Sequence, residues 1–408
     1  MKKDWVTKKL GEVCIVERGS SPRPIEKYQT DSLDGVNWIK IGDTKGVDKY
    51  IFTTKEKITN EGAEKSRYVK EGDFILSNSM SFGKPYIMKT DGYIHDGWFV
   101  FRLPDYLDKD YFYYFITSPN VQEQIQSLGA GAIVKNISGD LVKKVDVTYP
   151  KSLSEQQRIV SILDECFAAI DKAKANAEQN LKNAKELFES YLQGVFEKKG
   201  EGWEEKLLGE FATFRNGMNF TKSSKGQEIR IVGVKDFQDN FWIPFEELDS
   251  VVLDGKLSEV DELKENDIIA VRSNGNPALI GRTLLAGKVE GKISHSGFTI
   301  RVRLNSLNLV LPVYLCRYLK TQRTRKELVE KGNGVGIKSL NQGSLSSLII
   351  PFPKSLKEQQ TIVRQLDALQ AETQKLEAIY QQKLLNLEEL KKSVLQKACA
   401  GELTTEKK

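Results

Sequence analysis

The side chains best suited to chemistry in this 408-residue chain are short runs of Arg, Lys, Asn and Ser set in turns. Such groups read nucleic acid: Arg pairs its donors with guanine, Asn bonds adenine, and Ser, Thr and Lys serve base edges or phosphates. In the first half, Ser77, Asn78, Ser79 and Lys84 follow the apolar run DFIL, Lys135 and Asn136 follow GAGA (129–132), and Arg18 and Arg23 frame a Gly-Ser-Ser-Pro turn. In the second half, Arg272, Ser273, Asn274, Asn276 and Arg282 occupy the matching loop, with Lys338 and Asn341 beyond it. These are the candidate DNA-binding residues. Because the two loops differ in composition, they are expected to read different sequences, with a lean toward G or A for the Arg- and Asn-bearing second loop.

No set of residues suits catalysis. The chain has no [DN]-P-P-[YF] amino-methyltransferase motif, no G-x-x-x-x-G-K-[ST] phosphate loop and no two-metal carboxylate site. GAGA follows a helical stretch rather than a strand and reads as a turn, and GVGIKS (334–339) has the wrong spacing for a phosphate loop. His95 and His295 lack companions at metal-ligand spacing and read as framework residues at matching places. Cys14, Cys166, Cys316 and Cys399 are scattered without a CxxC pair, which suits a reducing cytosol. No cofactor or metal is implied. A net charge of +5 permits nucleic acid without arguing for it, so any polyanion surface must arise locally. The first residues lack an apolar leader, and no window approaches a span of about 20 apolar residues, so a soluble, cytoplasmic, non-enzymatic protein is expected.

The candidate residues are carried by elements written twice. PKSLSEQQRIVSILDE from Pro150 returns as PKSLKEQQTIVRQLDA from Pro353, a shift of 203 residues, and Ser190, Leu192 and Gln193 return as Ser393, Leu395 and Gln396 at the same shift. Weaker echoes precede it: LGEV (10–13) and LGEF (208–211), VKEGDFIL (69–76) and LKENDIIA (263–270), IHDGWFVFRL and SHSGFTIRVRL. Residues 1–150 and 200–352 are short Val/Ile/Phe/Tyr-rich runs broken by Gly, Asn, Asp and Pro, with helical patterns at 110–128 and 311–331, so each is expected to be an α+β domain. Residues 151–199 and 353–408 read instead as long helices. Leu163, Ile170, Ala177, Ala184 and Tyr191 recur every seven residues, interleaved with Phe167, Leu181, Phe188 and Val195. Leu366, Thr373, Tyr380, Leu387 and Val394 do the same, interleaved with Leu369, Leu376 and Leu390. That is a coiled-coil seam, interrupted at Lys174 and Lys383. Connectivity makes the helices antiparallel. At 1.5 Å per residue each is roughly 60 to 65 Å long, which predicts a rod with a domain at either end, pseudo-two-fold symmetric, holding two readers at a fixed spacing.

Over essentially its full length the chain resembles the specificity subunit of Type I restriction-modification enzymes. The resemblance rests on the duplicated P-x-S-L-x-E-Q-Q-x-I-V-x-x-L-D, on W-I-K-I-G-D at Trp38–Asp43, and on the paired V/L-K-E-G/N-D-F/I-I at Val69 and Leu263. Asn266 stands where the first copy has Gly72, and WIKIGD survives in the second copy only as Val234–Asp236. The resemblance implies two target-recognition domains, each reading one half of a bipartite duplex DNA sequence. It also implies helices that separate them and dock two methyltransferase subunits, with restriction (endonuclease/translocase) subunits as further partners. Glu155, Gln156, Gln157, Glu358, Gln359 and Gln360, taken as exposed at the helix starts, are the candidate partner-binding residues, with helix capping as the alternative role. The alternative is a coiled-coil protein-interaction scaffold without sequence-specific DNA binding.

Overall fold

The structure, a computed structural model, describes residues 4–78, 83–128, 138–221, 223–238, 240–330 and 339–403. It divides into two compact units, residues 1–177 with 382–408 and residues 178–381, so each long helix contributes one end to each unit. No helix among the described residues is long and apolar enough to cross a membrane.

In the first unit, strands Ile15–Arg18, Trp98–Arg102, Phe74–Ser77, Pro85–Met88 and Tyr50–Ile51 form a five-stranded sheet in that order. Strand side chains alternate between faces, and both faces here are apolar. Phe74, Leu76, Phe99 and Phe101 pack against Tyr111 and Phe112 of helix Lys109–Thr117 and against the long helices. Ile75, Trp98 and Val100 face Ile39 and Ile94 of a four-stranded sheet. The strand Trp5–Lys9 pairs with Asp146–Pro150 and closes the domain beside the start of the first long helix.

The second unit repeats this plan. Trp203–Leu207 pairs with Ile349–Pro353, in the register Trp203↔Pro353 that matches Trp5↔Pro150. Ala212–Asn216, Thr299–Leu304, Ile268–Val271 and Thr283–Leu285 form its main sheet, and a parallel pair, Glu228–Val232 with Ile293–His295, matches Val36–Ile39 with Gly92–Ile94. Each helical stretch expected to be single is two helices. The first breaks at Ser118, which is extended before Pro119 because proline disfavours a helical predecessor. The second breaks between Pro312–Leu319 and Gln322–Glu330.

The long helices, Leu153–Glu197 and Leu356–Cys399, are uninterrupted. In the first unit Asp171 pairs with Lys391 (2.9 Å) and Lys174 with Glu388 (3.2 Å), so one helix rises as the other descends and the pairing is antiparallel. The interruption expected at Lys174 is therefore an ion pair along the seam. Leu163, Phe167, Ile170, Ala177 and Ala184 are buried at the expected spacing. Three positions depart from it. Tyr191 is 42% exposed while Leu192 and Phe196 are buried, because steps of four replace the seven-residue repeat as the helix joins the second domain. Leu376 and Leu390 face outward, and the half-buried positions are Glu377 and Lys391, one residue further on.

The repeated Glu-Gln-Gln has a structural cause. Gln156 and Gln359, expected on an exposed partner-facing surface, are wholly buried, which corrects that reading. Each lies seven residues before a seam leucine, Leu163 or Leu366, and so faces inward. Gln156 Nε2 donates to the carbonyls of Tyr106 (3.1 Å) and Pro150 (2.9 Å), and its Oε1 accepts from the Asp108 amide (2.7 Å). Gln359 repeats the set with Leu309, Pro353 and the Leu311 amide at 2.9, 2.9 and 2.8 Å. Of their neighbours, Glu155 is held by Arg158, Glu358 accepts from Trp203 Nε1 (3.1 Å), and Gln157 and Gln360 are exposed. Gln156→Ala or Gln359→Ala strands buried backbone groups, at a cost of about 1–3 kcal/mol for each group left unpaired. Urea unfolding should show a loss of that order for each, against a change within about 0.5 kcal/mol for Gln157→Ala.

Candidate nucleic-acid interface

In each unit three backbone segments meet at one turn between two strands. In the first unit Gly19 and Ser20 donate to the carbonyls of Trp98 (2.8 Å) and Ile94 (3.2 Å), and Asn78 donates its amide to Gly97 (2.9 Å). In the second, Gly217 and Met218 donate to Thr299 (3.1 Å) and His295 (2.7 Å), and Arg272 to Phe298 (2.8 Å). Both glycines are obligatory: a Cβ would lie 2.0 Å from the His95 carbonyl oxygen at Gly19 and 2.1 Å from that of Ser296 at Gly217. The result is a matched rim, made from the loop after Gly19 or Gly217, the turn at 95–97 or 296–298, and the loop opening at Asn78 or Arg272.

The structure sorts the first-unit candidates. Arg18 and Arg23 are exposed on the rim, with Arg18 Nε on the Asp96 carbonyl (3.2 Å) and Arg23 on the Asp96 carboxylate (3.2 Å). Ser77 and Asn78 are each only 1% exposed, and the Asn78 amide donates to the Asp96 carbonyl (2.9 Å), so these two shape the turn rather than face a ligand. Half-buried Lys84 donates to the Val47 carbonyl (3.0 Å) and lies over the Tyr86 ring, another framework role. Ser79, Lys135, Asn136 and, in the second half, Lys338 lie outside the described residues. Beside this rim a cleft of about 670 Å³ is lined by Ser21, Arg23, Gln29, Trp38, Lys40 and His95 among others.

In the second unit Arg272 stands where the first has Asn78, and its guanidinium makes no hydrogen bond or ion pair to another described residue. Ser273 donates its backbone N–H to Phe298 (3.3 Å). Asn274 and Asn276 spend their carbonyl oxygens on the backbone of Asn276 (2.8 Å) and Ala278 (3.0 Å). Their amide NH2 groups make no bond to another described residue. Arg282 is turned inward to the carbonyls of Phe237 (3.4 Å) and Gln238 (2.7 Å), and Asn341 caps helix Gln342–Ser346 through Ser344 (2.8 Å). The Arg282 guanidinium thus serves the framework, whereas Asn341, like Asn274 and Asn276, spends its carbonyl oxygen on the backbone. The Leu340 amide, donating to the Arg272 carbonyl (2.8 Å), brings the chain after the undescribed segment 331–338 to the rim. Sequence reading passed over Ser21, Asp96, Asn219 and Phe298, all on the rims. The signal that marks them is the pair Arg18-Gly19 and Asn216-Gly217, each ending a strand.

The histidines are not equivalent. Strand registers align Trp98 with Thr299 and Ile94 with His295, an offset of 201 rather than the 200 that superposes the two histidines. One residue of slip reverses a strand side chain. His95 is one-fifth exposed in the cleft, whereas His295 is buried and bonded through Nδ1 to Thr299 Oγ1 (2.9 Å). Burial, and then the charge of Arg301, push His295 down to about 3. An unfolded histidine titrates near 6.5, so between those values the unfolded chain binds a proton that the folded chain refuses. Stability should fall as pH drops below about 6.5, by up to about 1.4 kcal/mol per pH unit from this residue. Urea midpoints at pH 7 and pH 5 should converge in His295→Gln, and an undiminished gap would contradict the assignment.

The other repeated motifs are structural. Asp73 and Asp267 accept from the amides of Lys70 (2.8 Å) and Lys264 (2.7 Å), closing turns at Gly72 and Asn266, which both have positive φ. Each carboxylate then binds an arginine, Arg102 or Arg303, the latter at 2.6 and 2.7 Å. Asp43 and Asp236 brace the Trp38–Asp43 motif and its reduced copy in the same way, accepting from Lys40 (2.8 Å) and Gly233 (2.7 Å). Among the described residues no cluster of His, Cys, Asp or Glu is placed to hold a metal ion.

Two like domains, each ending in a long helix and each offering a rim of different side chains on one framework, define a duplicated recognition protein. The chain matches the family model for the Type I restriction modification DNA specificity domain over residues 2–182 and again over 200–386, and it belongs to that family. It is 29% identical over 320 residues to the Type I restriction enzyme StySPI specificity subunit of Salmonella potsdam, an alignment covering 75% of this chain and 68% of that protein. Among solved structures it resembles a chain of a type I R-M system, with a TM-score of 0.76 at 17% identity over 99% of each chain. It also resembles the HsdS subunit from Thermoanaerobacter tengcongensis, with a TM-score of 0.65 at 19% identity over 99% and 98%. At these identities the structural likeness establishes the fold.

Proposed function

We propose that this chain is the non-catalytic, sequence-reading subunit of a Type I restriction-modification complex. Each recognition domain reads one half of a bipartite duplex DNA target, and partner subunits carry out methylation and cleavage. The observation that carries this reading is the pair of rims: one backbone framework held by matched bonds at Gly19 and Gly217, yet bearing Arg18, Arg23 and Asp96 on one and Arg272, Asn274 and Phe298 on the other. A shared framework with different exposed side chains suits two different half-sites.

The two uninterrupted helices set the spacer between the half-sites. Their outward faces, with Leu187, Tyr191, Ile379, Leu385 and Leu390 at 42–59% exposure, supply the apolar surface on which two methyltransferase subunits dock. Gln157 and Gln360, exposed at the helix starts, belong to that docking surface. Restriction subunits join through the methyltransferase-bearing assembly.

Selection from a pool of randomised duplexes, using the purified chain with its methyltransferase partner, should enrich two short sequences separated by a fixed gap. Recovery of random sequence at moderate salt would favour a protein-binding scaffold and contradict the proposal. Arg272→Ala should lose about 1–3 kcal/mol of discrimination at the second half-site only. A uniform loss across sequences would place Arg272 on phosphate instead.

A further inference from the structure

The first rim is tied together through one residue. Asp96, in the turn between strands Gly92–Ile94 and Trp98–Arg102, accepts from four side chains. Its backbone carbonyl takes Arg18 Nε (3.2 Å) and Asn78 Nδ2 (2.9 Å), while its carboxylate takes Ser21 Oγ (2.8 Å) and the Arg23 guanidinium (3.2 Å). The backbone bonds fix the turn. The carboxylate holds Ser21 and Arg23, a hydroxyl and a cation that are both ordinary phosphate ligands, and its Oδ1 lies 3.6 Å from His95 Nδ1. The Arg23 side chain is 79% exposed and that of Asp96 43%, so their ion pair is wet and weak enough to exchange.

We infer that Asp96 is a positioning residue that stands in for a phosphate: its carboxylate orients Arg23 in the free chain and surrenders it to the DNA backbone on binding. The inference rests on the DNA-reading function proposed above. Among the described residues the turn of the second rim has no such carboxylate. Its aligned position is Gly297, where a Cβ would sit 2.1 Å from Asn219 Oδ1, so no carboxylate can be placed there without displacing Asn219. The two half-site readers thus differ in their electrostatics as well as in their side chains: among the described residues, only the first rim has a carboxylate in its strand-joining turn that competes with DNA for a neighbouring arginine.

The test uses the full-length chain and a fluorescent duplex of random sequence, because a phosphate contact is indifferent to sequence. Asp96→Asn keeps the shape and removes the charge. It should bind about two- to fivefold tighter than the unaltered chain, the range expected for releasing a weak exposed pair. Asp96→Glu, which keeps the anion, should bind as the unaltered chain does. In an Arg23→Ala background the gain from Asp96→Asn should vanish, a dependence that a merely structural aspartate would not produce. Arg23→Ala alone should weaken binding and lower the slope of log affinity against log salt by about one; this second reading does not depend on how well Asp96→Asn folds. Weaker or unchanged binding by a folded Asp96→Asn, a gain of equal size without Arg23, or no effect of Arg23→Ala would each overturn the inference while leaving the DNA-reading function standing. Failure of the unaltered chain to bind any duplex would remove both.

Discussion

Each long helix starts with a glutamine whose amide lies wholly inside the protein, bonded to three backbone groups, and the rest of the molecule is built outward from that joint. Such an amide is all or nothing, because a buried donor or acceptor left unpaired costs more than a normal hydrogen bond contributes. Gln156 ties the first helix to the carbonyls of Tyr106 and Pro150, and Gln359 ties the second to those of Leu309 and Pro353. The same residue is also the first inward position of the seven-residue seam. Domain and helix are therefore locked in one register, and the direction in which each helix leaves its domain is set by side-chain chemistry rather than by a hinge.

That joint explains why the two copies diverge where they do. Buried groups that hold the chain's course are kept in kind: Asp73 with Arg102 and Asp267 with Arg303, Gly19 and Gly217 against a carbonyl, Tyr111 and Tyr314 reaching the carbonyls of Thr148 and Pro351. Groups at the rim are free to differ, and do: Asn78 against Arg272, Asp96 against Gly297, Gly97 against exposed Phe298. Buried positions beside the rim also differ: His295 takes the place of Ile94, Thr299 that of Trp98, and Arg301 that of Val100, spending its guanidinium on the carbonyls of Val260 and Glu262. A framework fixed by backbone bonds can carry new readers without being rebuilt, which is what a protein that must specify two unlike half-sites requires.

Much of the architecture was legible in the sequence because repetition and seven-residue periodicity are properties of the chain itself. The identity of the readers was less so. Ser77 and Asn78 look like a polar loop but fold inward, since they sit at the end of a strand buried on both faces and Asn78 finds a carbonyl there. Arg282 likewise looks available and is spent on backbone carbonyls. The histidines misled for a subtler reason: aligning them also aligns Gly97 with Gly297, while the hydrogen-bonded register of the strands runs one residue further. Composition cannot reveal which polar side chains already have partners, because those partners lie tens of residues away in sequence.

The central claim is that the domains are interchangeable readers on a common joint, each responsible for its own half of the target. It is tested most directly by replacing residues 200–352 with a second copy of residues 1–150 and mapping the methylated sites in cells that also carry the partner methyltransferase. The account requires that the first half-site now appear at both ends of the target with the original spacer. Persistence of the original second half-site, or loss of the first from a folded and assembled protein, would contradict it.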